Sequence, residues 1–352
     1  MNDESCMRRA IELAREGQGL TSPGAMVGCI IVNKGEVVGE GVYTWDGVKH
    51  AEVLALEQAG EAARGATVYL NLEPCAHQGR TPPCVDALVA AGVARVVAAI
   101  EDPFPEVNGR GLEALRQADI EVECGLLGLE ASRLNEVFIH CTSHDRPYGL
   151  LKVGMSLDGK IATASGESRW ITSEDSRRIV HRLRHASDAL LTGSGTILQD
   201  DPRLTDRSGL PRRRPLQRVV LDRRGRLHSG LKVFDDAGVL VYTQVPHLDL
   251  PPPHEAAVDI TKLPDVARDL ARRGFGSFML ECGPDLAFDA LRHGIIDKLV
   301  VFLAPRIIGG REFPGVGGQG VAVLSDSVEI SDWEVQEVGP DLMVTGYVHR
   351  DN

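Results

Sequence analysis

The sequence predicts an α/β protein of two domains. The chain has 352 residues, which is long for a single domain. Apolar runs typical of strands alternate with segments of helical periodicity through both halves. Between the halves, the polar, proline-containing segment TSHDRPYG at 142–149 marks the expected boundary. We therefore expect one domain at 1–145 and a second at 146–352.

The first half predicts a sheet covered by helices. Residues 3–17 have helical periodicity, and the apolar runs at 25–32 and 36–43 form a predicted hairpin. Further strands are expected at 66–74, 94–102 and 120–126, with helices at 50–63, from about 83, at 109–119 and up to about 141. Because strands separated by helices are usually parallel, we expect a largely parallel sheet with helices on both faces.

The second half repeats the alternation, beginning with a buried-looking strand at 148–157. Further strands are expected near 188–192, 217–222, 238–243, 277–282 and 298–304, with helices at about 173–187 and 264–274. Residues 333–350 predict a hairpin that turns at Gly339-Pro340. We interpret the proline-rich stretch at 248–255 as a spacer loop.

Composition and charge exclude several classes of protein. The hydrophobic content of 43% and charged content of 25% are ordinary for a globular protein, and no run of eighteen apolar residues predicts a membrane span. The charged N-terminal segment lacks the apolar core of a signal peptide, so we expect a cytoplasmic protein. A net charge of −12 argues against a general nucleic-acid binder but allows a small phosphorylated substrate.

The seven cysteines do not predict a disulfide framework, because their number is odd and the chain is long. Cys29, Cys124 and Cys282 lie in apolar, strand-like runs. We expect these three side chains to fill the core.

Three other residues form a predicted set of zinc ligands. His50 begins the run HAEVLAL, while Cys75 and Cys84 lie in PCAHQGRTPPC at 74–84. One imidazole and two thiolates suit zinc, and three protein ligands leave a fourth position for water. Cys84 begins a predicted helix, whose dipole favours the thiolate that binds metal. A structural zinc clip and two unconnected cysteines are the alternative interpretations.

Glu52 decides between these alternatives in favour of catalysis. It lies on the first turn of the helix that His50 begins, within reach of a metal-bound water whose pKa zinc lowers to about 7. The pattern H-x-E followed by P-C-x-x-C is the zinc-deaminase signature, in which the glutamate relays protons. Here the gap between the cysteines is longer, which places His77 and Arg80 over the pocket, where they are suited to hold a phosphate.

The second half has three polar clusters and no G-x-G-x-x-G after a strand. The clusters lie at 151–172, 193–207 and 281–289. The third has a glycine after a strand and leads into a helix, an arrangement typical of phosphate sites. These residues alone predict a nucleotide- or phosphate-binding α/β domain.

Four residues of these clusters have both functional and structural interpretations. Lys152 lies on an apolar strand, where a buried lysine is costly unless it is paired or functional. Trp170 either stacks on a flat ring or fills the core. Arg184 either binds a ligand or lies on a solvated helix face, and Asp200 belongs either to a site or to a turn before Pro202.

The two halves together resemble the bifunctional deaminase–reductase family of riboflavin biosynthesis over nearly the whole chain. The motifs HAEVLAL, LEPCAHQGRTPPC, LKVGMSLDGKIATASGESRWIT, DDPRLT and APRIIGG occur in the family's order. The resemblance implies a cytidine-deaminase-like first domain with three α/β/α layers and a dihydrofolate-reductase-like second domain. It also implies Zn²⁺ and NADPH as cofactors, a small phosphoribosylaminopyrimidine substrate, no nucleic-acid or membrane partner, and a homo-oligomer (dimer or tetramer).

The resemblance also assigns site residues. In the first domain, it implies Glu52 as the proton shuttle, His50, Cys75 and Cys84 as zinc ligands, and His77 and Arg80 as substrate contacts. The implied cofactor positions are Met155, Trp170, Thr196, Asp200, Arg223, Gly283, Pro284 and Asp285. The implied substrate positions in the second domain are Lys152, Ser168, Arg184, Leu204, Arg207 and Glu281. Arginine forks suit the 5-phosphate, and NADPH reduces the opened ribose to a ribityl chain.

Several positions depart from the family pattern, including Ala25 in place of its second proline. The family usually reads S-P-N-P-x-V-G, whereas this chain has Gly24 in place of the asparagine that would bond the pyrimidine. Tyr43 replaces a usual histidine, and Arg223 replaces a frequent serine near the cofactor's 2′-phosphate, where its charge favours NADPH. Open alternatives are a paralogue of a flavin-like or deazapurine pathway, a nucleic-acid base deaminase fused to an unrelated domain, and a binding protein without turnover.

Overall fold

The computed structural model describes residues 2–235, 238–245, 254–258 and 262–348. The chain divides into two compact units. Unit 1 comprises Met1–His144 and Pro211–Arg213, and unit 2 comprises Asp145–Leu210 and Arg214–Asn352. Within the described residues, no helix is both long enough and apolar enough to cross a bilayer.

Unit 1 is a five-stranded sheet with helices on both faces. Its helices are α1 (Asp3–Glu16), α2 (Ala51–Ala59), α3 (Cys84–Ala91), α4 (Arg110–Gln117), α5 (Gly128–Leu134) and α6 (Glu136–Ser143). Its strands are β1 (Gly28–Asn33), β2 (Glu36–Val42), β3 (Thr67–Leu70), β4 (Arg95–Ala98) and β5 (Glu121–Cys124), in the order β2-β1-β3-β4-β5. Alternate residues of β1 enter opposite cores: Ile30 packs with α1, and Ile31 packs with α2 and α3.

The sheet of unit 1 is mixed, and the prediction of a largely parallel sheet was wrong for half of its strand pairs. β1 pairs antiparallel with β2 and with β3, whereas β3, β4 and β5 are parallel. The hairpin accounts for the β1–β2 pair, because a tight turn can join only antiparallel strands. Since the hairpin reverses the chain, β3 lies on the other side of β1 and antiparallel to it.

Unit 2 contains a nine-stranded sheet. Its strands are β6 (Tyr148–Ser156), β7 (Ala189–Gly193), β8 (Gln217–Leu221), β9 (Val239–Thr243), β10 (Glu255–Val258), β11 (Ser277–Leu280), β12 (Lys298–Ala304), β13 (Ile330–Val338) and β14 (Asp341–Val348). Their order is β10-β9-β8-β7-β11-β6-β12-β14-β13, parallel except at β14. Its helices are α7 (Glu174–Ala186), α8 (Ser194–Asp200), α9 (Leu263–Arg272) and α10 (Pro284–Arg292).

The C-terminal hairpin of unit 2 is confirmed, since β13 and β14 turn at Gly339-Pro340. The spacer loop expected at 248–255 lies largely outside the described residues. Cys29 is buried as expected, but Cys282 is only half-buried and Cys124 is exposed. Cys124 ends β5, which is the edge strand of its sheet, and this explains why the core prediction was wrong for it.

Two glycines allow α2 to pack directly on β2. A Cβ added to Gly41 would lie 2.0 Å from the carbonyl oxygen of Ala51, and one added to Gly39 would lie 2.2 Å from that of Ala55. Both distances are far below van der Waals contact, so only glycine permits this approach. The first turn of α2, which follows His50, is thereby held against the strand.

The loop between β3 and α3 is held by a buried carboxylate. Glu73 is 4% exposed and accepts hydrogen bonds of 2.7–3.2 Å from four backbone N–H groups, those of Asp102, Gly109, Gly111 and Leu112. Charge-assisted hydrogen bonds of this kind are stronger than neutral ones. The chain is therefore fixed two residues before Cys75.

We predict that Gly41→Ala destabilises unit 1 by about 1–3 kcal/mol and weakens zinc retention, because α2 must move away from β2. Thermal unfolding and the zinc content of the purified chain measure the two effects. Gly230→Ala is the matched control, since its Cβ would meet only the side chain of His228, at 3.4 Å. An unchanged melting temperature and zinc content in Gly41→Ala would contradict the prediction.

Candidate zinc centre and reductase site

Three side chains of unit 1 converge as the sequence predicts. His50 precedes α2, Cys84 begins α3, and Cys75 lies in the loop that Glu73 holds. Nδ1 of His50 lies 3.1 Å from Sγ of Cys84 and 3.5 Å from Sγ of Cys75. The three atoms lie within 4.8 Å of one another and form the single such group of three found among the described residues.

The electrostatics of this group fit a bound cation. The hydrogen bond with Cys84 lowers the pKa of the Cys75 thiol to about 4, against the effect of burial, and His50 adds to the lowering. The same bond raises the pKa of Cys84, because one proton is shared between the two sulfurs. A tetrahedral ion with a preference for sulfur and nitrogen would hold both thiolates in place of that proton. The donor set therefore fits zinc.

Glu52 lies beside this group on the first turn of α2. It is 3% exposed, and its Oε2 atom is buried without a hydrogen-bond partner among the described residues. Burial raises the pKa of Glu52, an effect that neighbouring hydrogen bonds and His50 oppose. A buried carboxylate with an unused oxygen is suited to take up a proton and release it again.

Aromatic and basic side chains form one wall of the centre. The ring of Tyr43 meets that of His50 edge-on, with 5.4 Å between centroids and 83° between planes. Nη1 of Arg80 donates to the carbonyl oxygen of Trp45 at 3.0 Å, and its guanidinium carbon lies 4.5 Å from the Trp45 ring centroid. The Nδ1 atom of His77 is buried and has no hydrogen-bond partner among the described residues. Arg80 thus packs against Trp45, while the placement of His77 and Arg80 over the pocket stays a prediction.

Sequence reasoning missed Arg213, which belongs to unit 1 although it is distant in sequence. Its guanidinium carbon lies 5.1 Å from the Trp45 ring centroid. Its side chain donates to the carbonyl oxygen of Ser22 at 2.8 Å and pairs with Asp46 at 2.9 Å. No local motif marks this arginine, because only tertiary packing brings it to Trp45.

In unit 2, Glu281 joins two predicted substrate residues. Its carboxylate lies 2.8 Å from Nζ of Lys152 and 2.6 Å from Nε of Arg184. Burial alone would raise the pKa of Glu281, but Lys152 and Arg184 outweigh it and hold the pKa at about 2. The lysine on the apolar strand is therefore paired, and Arg184 does not lie on a freely solvated face.

The segment that follows α8 lies beside α7. Nη1 of Arg184 donates to the carbonyl oxygen of Thr205 at 3.0 Å, and Nε of Arg207 donates to Oγ1 of the same threonine at 3.1 Å. Leu204 is 5% exposed and has a positive φ of 52°. Leu204 therefore packs inward, while Arg207 remains exposed near Arg184.

Ser168, Asp200 and Trp170 lie in a second group. Oγ of Ser168 donates to Oδ1 of Asp200 at 3.2 Å, and Arg169 donates to the backbone oxygen of Asp200. Trp170 is 62% exposed, with the guanidinium carbon of Arg177 4.5 Å from its ring centroid. The interpretation of Trp170 as a core aromatic is therefore wrong, and its ring is available to a ligand.

The remaining predicted cofactor positions lie on or near the parallel strands. Thr196 lies in α8 after β7, Arg223 follows β8 and is exposed, and Gly283 precedes α10 after β11. The carboxyl ends of these parallel strands point to one edge of the sheet, the usual place for a nucleotide. A Cβ at Gly283 would meet nothing within 4 Å, so the backbone there is open.

Three residues complete the comparison with the predicted set. Pro284 begins α10, and Oδ1 of Asp285 accepts the N–H of Gly318 at 3.0 Å. Met155 lies on β6, where its sulfur would be 2.6 Å from a Cβ added to Gly315. Sequence reasoning missed Asp222, which is fully buried at the end of β8 with an unpartnered Oδ1 among the described residues. The open backbone at Gly283 and the exposed Arg223 after β8 fit a phosphorylated dinucleotide.

Two family models match separate parts of the chain. The model described as "Cytidine and deoxycytidylate deaminase zinc-binding region" matches residues 1–100. The model described as "RibD C-terminal domain" matches residues 147–344. The two matches follow the order of the two predicted activities.

Relatives match nearly the full length of the chain. The riboflavin biosynthesis protein RibD of Escherichia coli (strain K12) is 43% identical, covering 97% of this chain and 98% of that protein. The structure of Acinetobacter baumannii RibD, form 1, has a TM-score of 0.86 at 36% identity and covers 99% of both chains. That of a Thermotoga maritima diaminohydroxyphosphoribosylaminopyrimidine deaminase/5-amino-6-(5-phosphoribosylamino)uracil reductase has a TM-score of 0.88 at 35% identity and covers 98% of both. Since these likenesses extend through both units, the chain belongs to the bifunctional riboflavin biosynthesis family, which joins a zinc deaminase to an NADPH-dependent reductase.

Proposed function

We propose that unit 1 deaminates diaminohydroxyphosphoribosylaminopyrimidine and that unit 2 reduces the ribosyl side chain of the deaminated product. The names of the Thermotoga maritima activities supply both substrates. The observation that carries the proposal is the convergence of His50, Cys75 and Cys84 beside a buried glutamate with an unused oxygen. A net charge of −12 disfavours a polynucleotide substrate, and a cytoplasmic location suits a pathway of small phosphorylated intermediates.

In the deaminase, His50, Cys75 and Cys84 would hold the zinc ion. Bound zinc supplies a Lewis acid and an activated water to the exchange of an exocyclic amine for oxygen. Oε2 of Glu52 accepts a proton from the attacking water and returns it to the departing amine, which leaves as ammonia. The buried position of Glu52 favours its protonated state partway through this cycle.

The substrate's phosphate and ring are assigned to the wall of this centre. Arg80 carries a positive charge at the rim, and His77 presents a buried nitrogen that no described group satisfies. A guanidinium fork suits a phosphate, since two N–H groups meet two oxygens. These two residues therefore orient the substrate above the zinc ligands.

In the reductase, Glu281 organises the substrate side. Because its pKa is about 2, it stays ionised at neutral pH and fixes the cationic side chains of Lys152 and Arg184. Arg207 adds a second guanidinium for the 5-phosphate, and Ser168 and Leu204 border the same substrate. NADPH supplies the hydride that converts the opened ribose to the ribityl chain.

The cofactor is assigned to the carboxyl ends of β7, β8 and β11. The exposed Arg223 is assigned to the 2′-phosphate, which distinguishes NADPH from NADH. The remaining contacts of this site are Met155, Trp170, Thr196, Asp200, Gly283, Pro284 and Asp285. The exposed ring of Trp170 offers a flat surface, and the open backbone at Gly283 admits a phosphate at the N-terminus of α10.

The chain is also assigned a homo-oligomeric state, built on the edge hairpin of unit 2. β13 is the last strand of its sheet and exposes Trp333 (64%) and Val335 (50%), beside Leu342 of β14 (39%). Large apolar side chains that are exposed on an edge strand are unusual unless another chain covers them. A second copy of β13 is the occupant that this edge fits.

We predict that the diaminopyrimidine substrate releases ammonia with the parent chain and that Glu52→Gln lowers this rate by about 10²- to 10⁴-fold while zinc is retained. Cys84→Ser should lose both zinc and ammonia release. Because these changes lie in unit 1, both variants should still oxidise NADPH with the deaminated substrate. Ammonia, metal content and NADPH absorbance are the measurements.

Glu57→Gln is the matched control for Glu52→Gln, since Glu57 lies on α2 but is exposed and pairs with Lys49. It should keep full activity. A zinc-loaded parent that releases no ammonia from this substrate would refute the proposed deaminase.

We predict that Glu281→Gln destabilises unit 2 by about 3–5 kcal/mol at neutral pH, because two partly buried cations lose their counter-charge. A lowered pKa stabilises the folded state above the unfolded value of about 4.3, and this contribution is lost as the pH falls toward 2. The difference between parent and variant should therefore be constant at pH 5–8 and shrink below about pH 4.

Urea unfolding of the full chain across this pH range, followed through Trp170 and Trp333, measures the difference. Glu312→Gln alters an exposed glutamate of unit 2 outside β13 and serves as the control, which should unfold as the parent does. A difference for Glu281→Gln that persists unchanged at pH 3 would argue against an ionised Glu281 in the folded state.

We predict that the parent chain is at least dimeric by light scattering at micromolar concentration and that Trp333→Asp with Val335→Asp lowers its mass to that of a monomer. A charge at each of these two exposed positions of the edge strand opposes strand pairing. Leu129→Asp is the control, because Leu129 of unit 1 is exposed to a similar extent (70%) as Trp333, and it should leave the mass unchanged. A monomeric parent would disprove the assignment.

A further inference from the structure

The space beside the zinc ligand His50 is filled by Tyr43 rather than by residue 24. The Tyr43 ring lies edge-on to the imidazole of His50, at 5.4 Å between centroids. Gly24 lies behind this ring: a Cβ added to it would be 3.3 Å from Cε1 of Tyr43 and 3.5 Å from Cε3 of Trp45. Any side chain at position 24 would therefore start in contact with both aromatic rings.

The backbone at Gly24 has little freedom to relieve this crowding. Its N–H donates to the carbonyl oxygen of Thr21 at 2.8 Å, and the same oxygen would lie 3.3 Å from the added Cβ. The strain of a larger side chain must therefore be relieved by the rings of Tyr43 and Trp45. The size of the side chain at position 24 therefore limits the size of the side chain at position 43, although the two positions are separated in sequence.

Tyr43 contributes a hydroxyl group to the wall of the zinc centre, whereas Gly24 has no polar side chain. Its ring is half-buried, so one part packs on protein and another remains open to a ligand. Burial raises the pKa of the Tyr43 hydroxyl, and the positive charge of Arg80 opposes this effect. Arg80 is itself fixed on the ring and carbonyl of Trp45. A phenol in this position can donate one hydrogen bond and accept another.

We propose that Tyr43 is a specificity-determining residue of the deaminase, whose hydroxyl makes a hydrogen bond to the edge of the pyrimidine. Because Gly24 has no side chain, it leaves free the space that the Tyr43 ring occupies. The inference rests on the proposed deaminase function and names the recognition element of that same site.

The test measures ammonia release from the diaminopyrimidine substrate by the parent and by Tyr43→Phe, Gly24→Asn, Tyr43→His and the double variant Gly24→Asn/Tyr43→His. Tyr43→Phe removes one hydroxyl and should raise KM about three- to tenfold with kcat within about twofold, since a binding contact is lost. Each of the other single variants should lower kcat/KM by at least about tenfold. Gly24→Asn displaces the rings, whereas Tyr43→His leaves a gap.

The double variant distinguishes a paired arrangement from two separate effects. The smaller histidine makes room for asparagine, and the amide restores a polar contact. Its kcat/KM should exceed the product of the two single effects by at least about tenfold, because residues in contact are not additive. Zinc content and NADPH oxidation by unit 2 show that each variant is folded and loaded with metal.

Tyr69→Phe is the matched control, since the Tyr69 hydroxyl binds Asp3 at 2.6 Å outside the zinc centre. It should leave KM for the substrate unchanged. An unchanged KM in Tyr43→Phe, or additive single effects in the double variant, overturns the inference while leaving the deaminase function in place. A zinc-loaded parent without ammonia release overturns the function, and the inference is then refuted with it.

Discussion

The deaminase centre depends on the contact between the backbones of β2 and α2. Gly39 and Gly41 have no Cβ, so the helix lies directly on the strand, and the chain turns into its first helical residues at His50. That contact sets where the imidazole and the Glu52 carboxylate stand relative to the sheet. The two sulfurs are positioned independently, because Glu73 ties the loop before Cys75 to four backbone N–H groups. The ligands of the metal site are thus positioned by two separate contacts, one between α2 and β2 and one between Glu73 and the backbone.

The zinc ligands could be predicted because their signal is local. Histidine before a helix, P-C after a strand and a second cysteine after two prolines each combine residue type with element position, and α3 does begin at Cys84. The wall of the same pocket could not be predicted in this way. Gly24 and Trp45 come from different loops, and Arg213 comes from far along the chain. Their proximity follows from tertiary packing, which no short motif records.

The reductase half shows the same division between local and long-range information. A lysine on an apolar strand requires a partner on energetic grounds, and the sequence predicted that much for Lys152. Its partner depends on strand pairing: β6 and β11 are parallel neighbours with Leu151 opposite Leu280, so the next residues, Lys152 and Glu281, adjoin. Arg184 then reaches the same carboxylate from α7. The order of strands in the sheet was needed to find this pair.

The two kinds of residue in the deaminase pocket also differ in how they can change. A zinc ligand is constrained by the metal's geometry, so a substitution at Cys84 has no compensating change within reach. A recognition wall made of packed rings is constrained by shared volume and by the number of hydrogen bonds it offers. In such a wall, a small residue at one position leaves room for a large polar one beside it, as Gly24 does for Tyr43. In this chain, the shape of the wall therefore depends on positions 24 and 43 together, whereas the metal chemistry depends on the ligands.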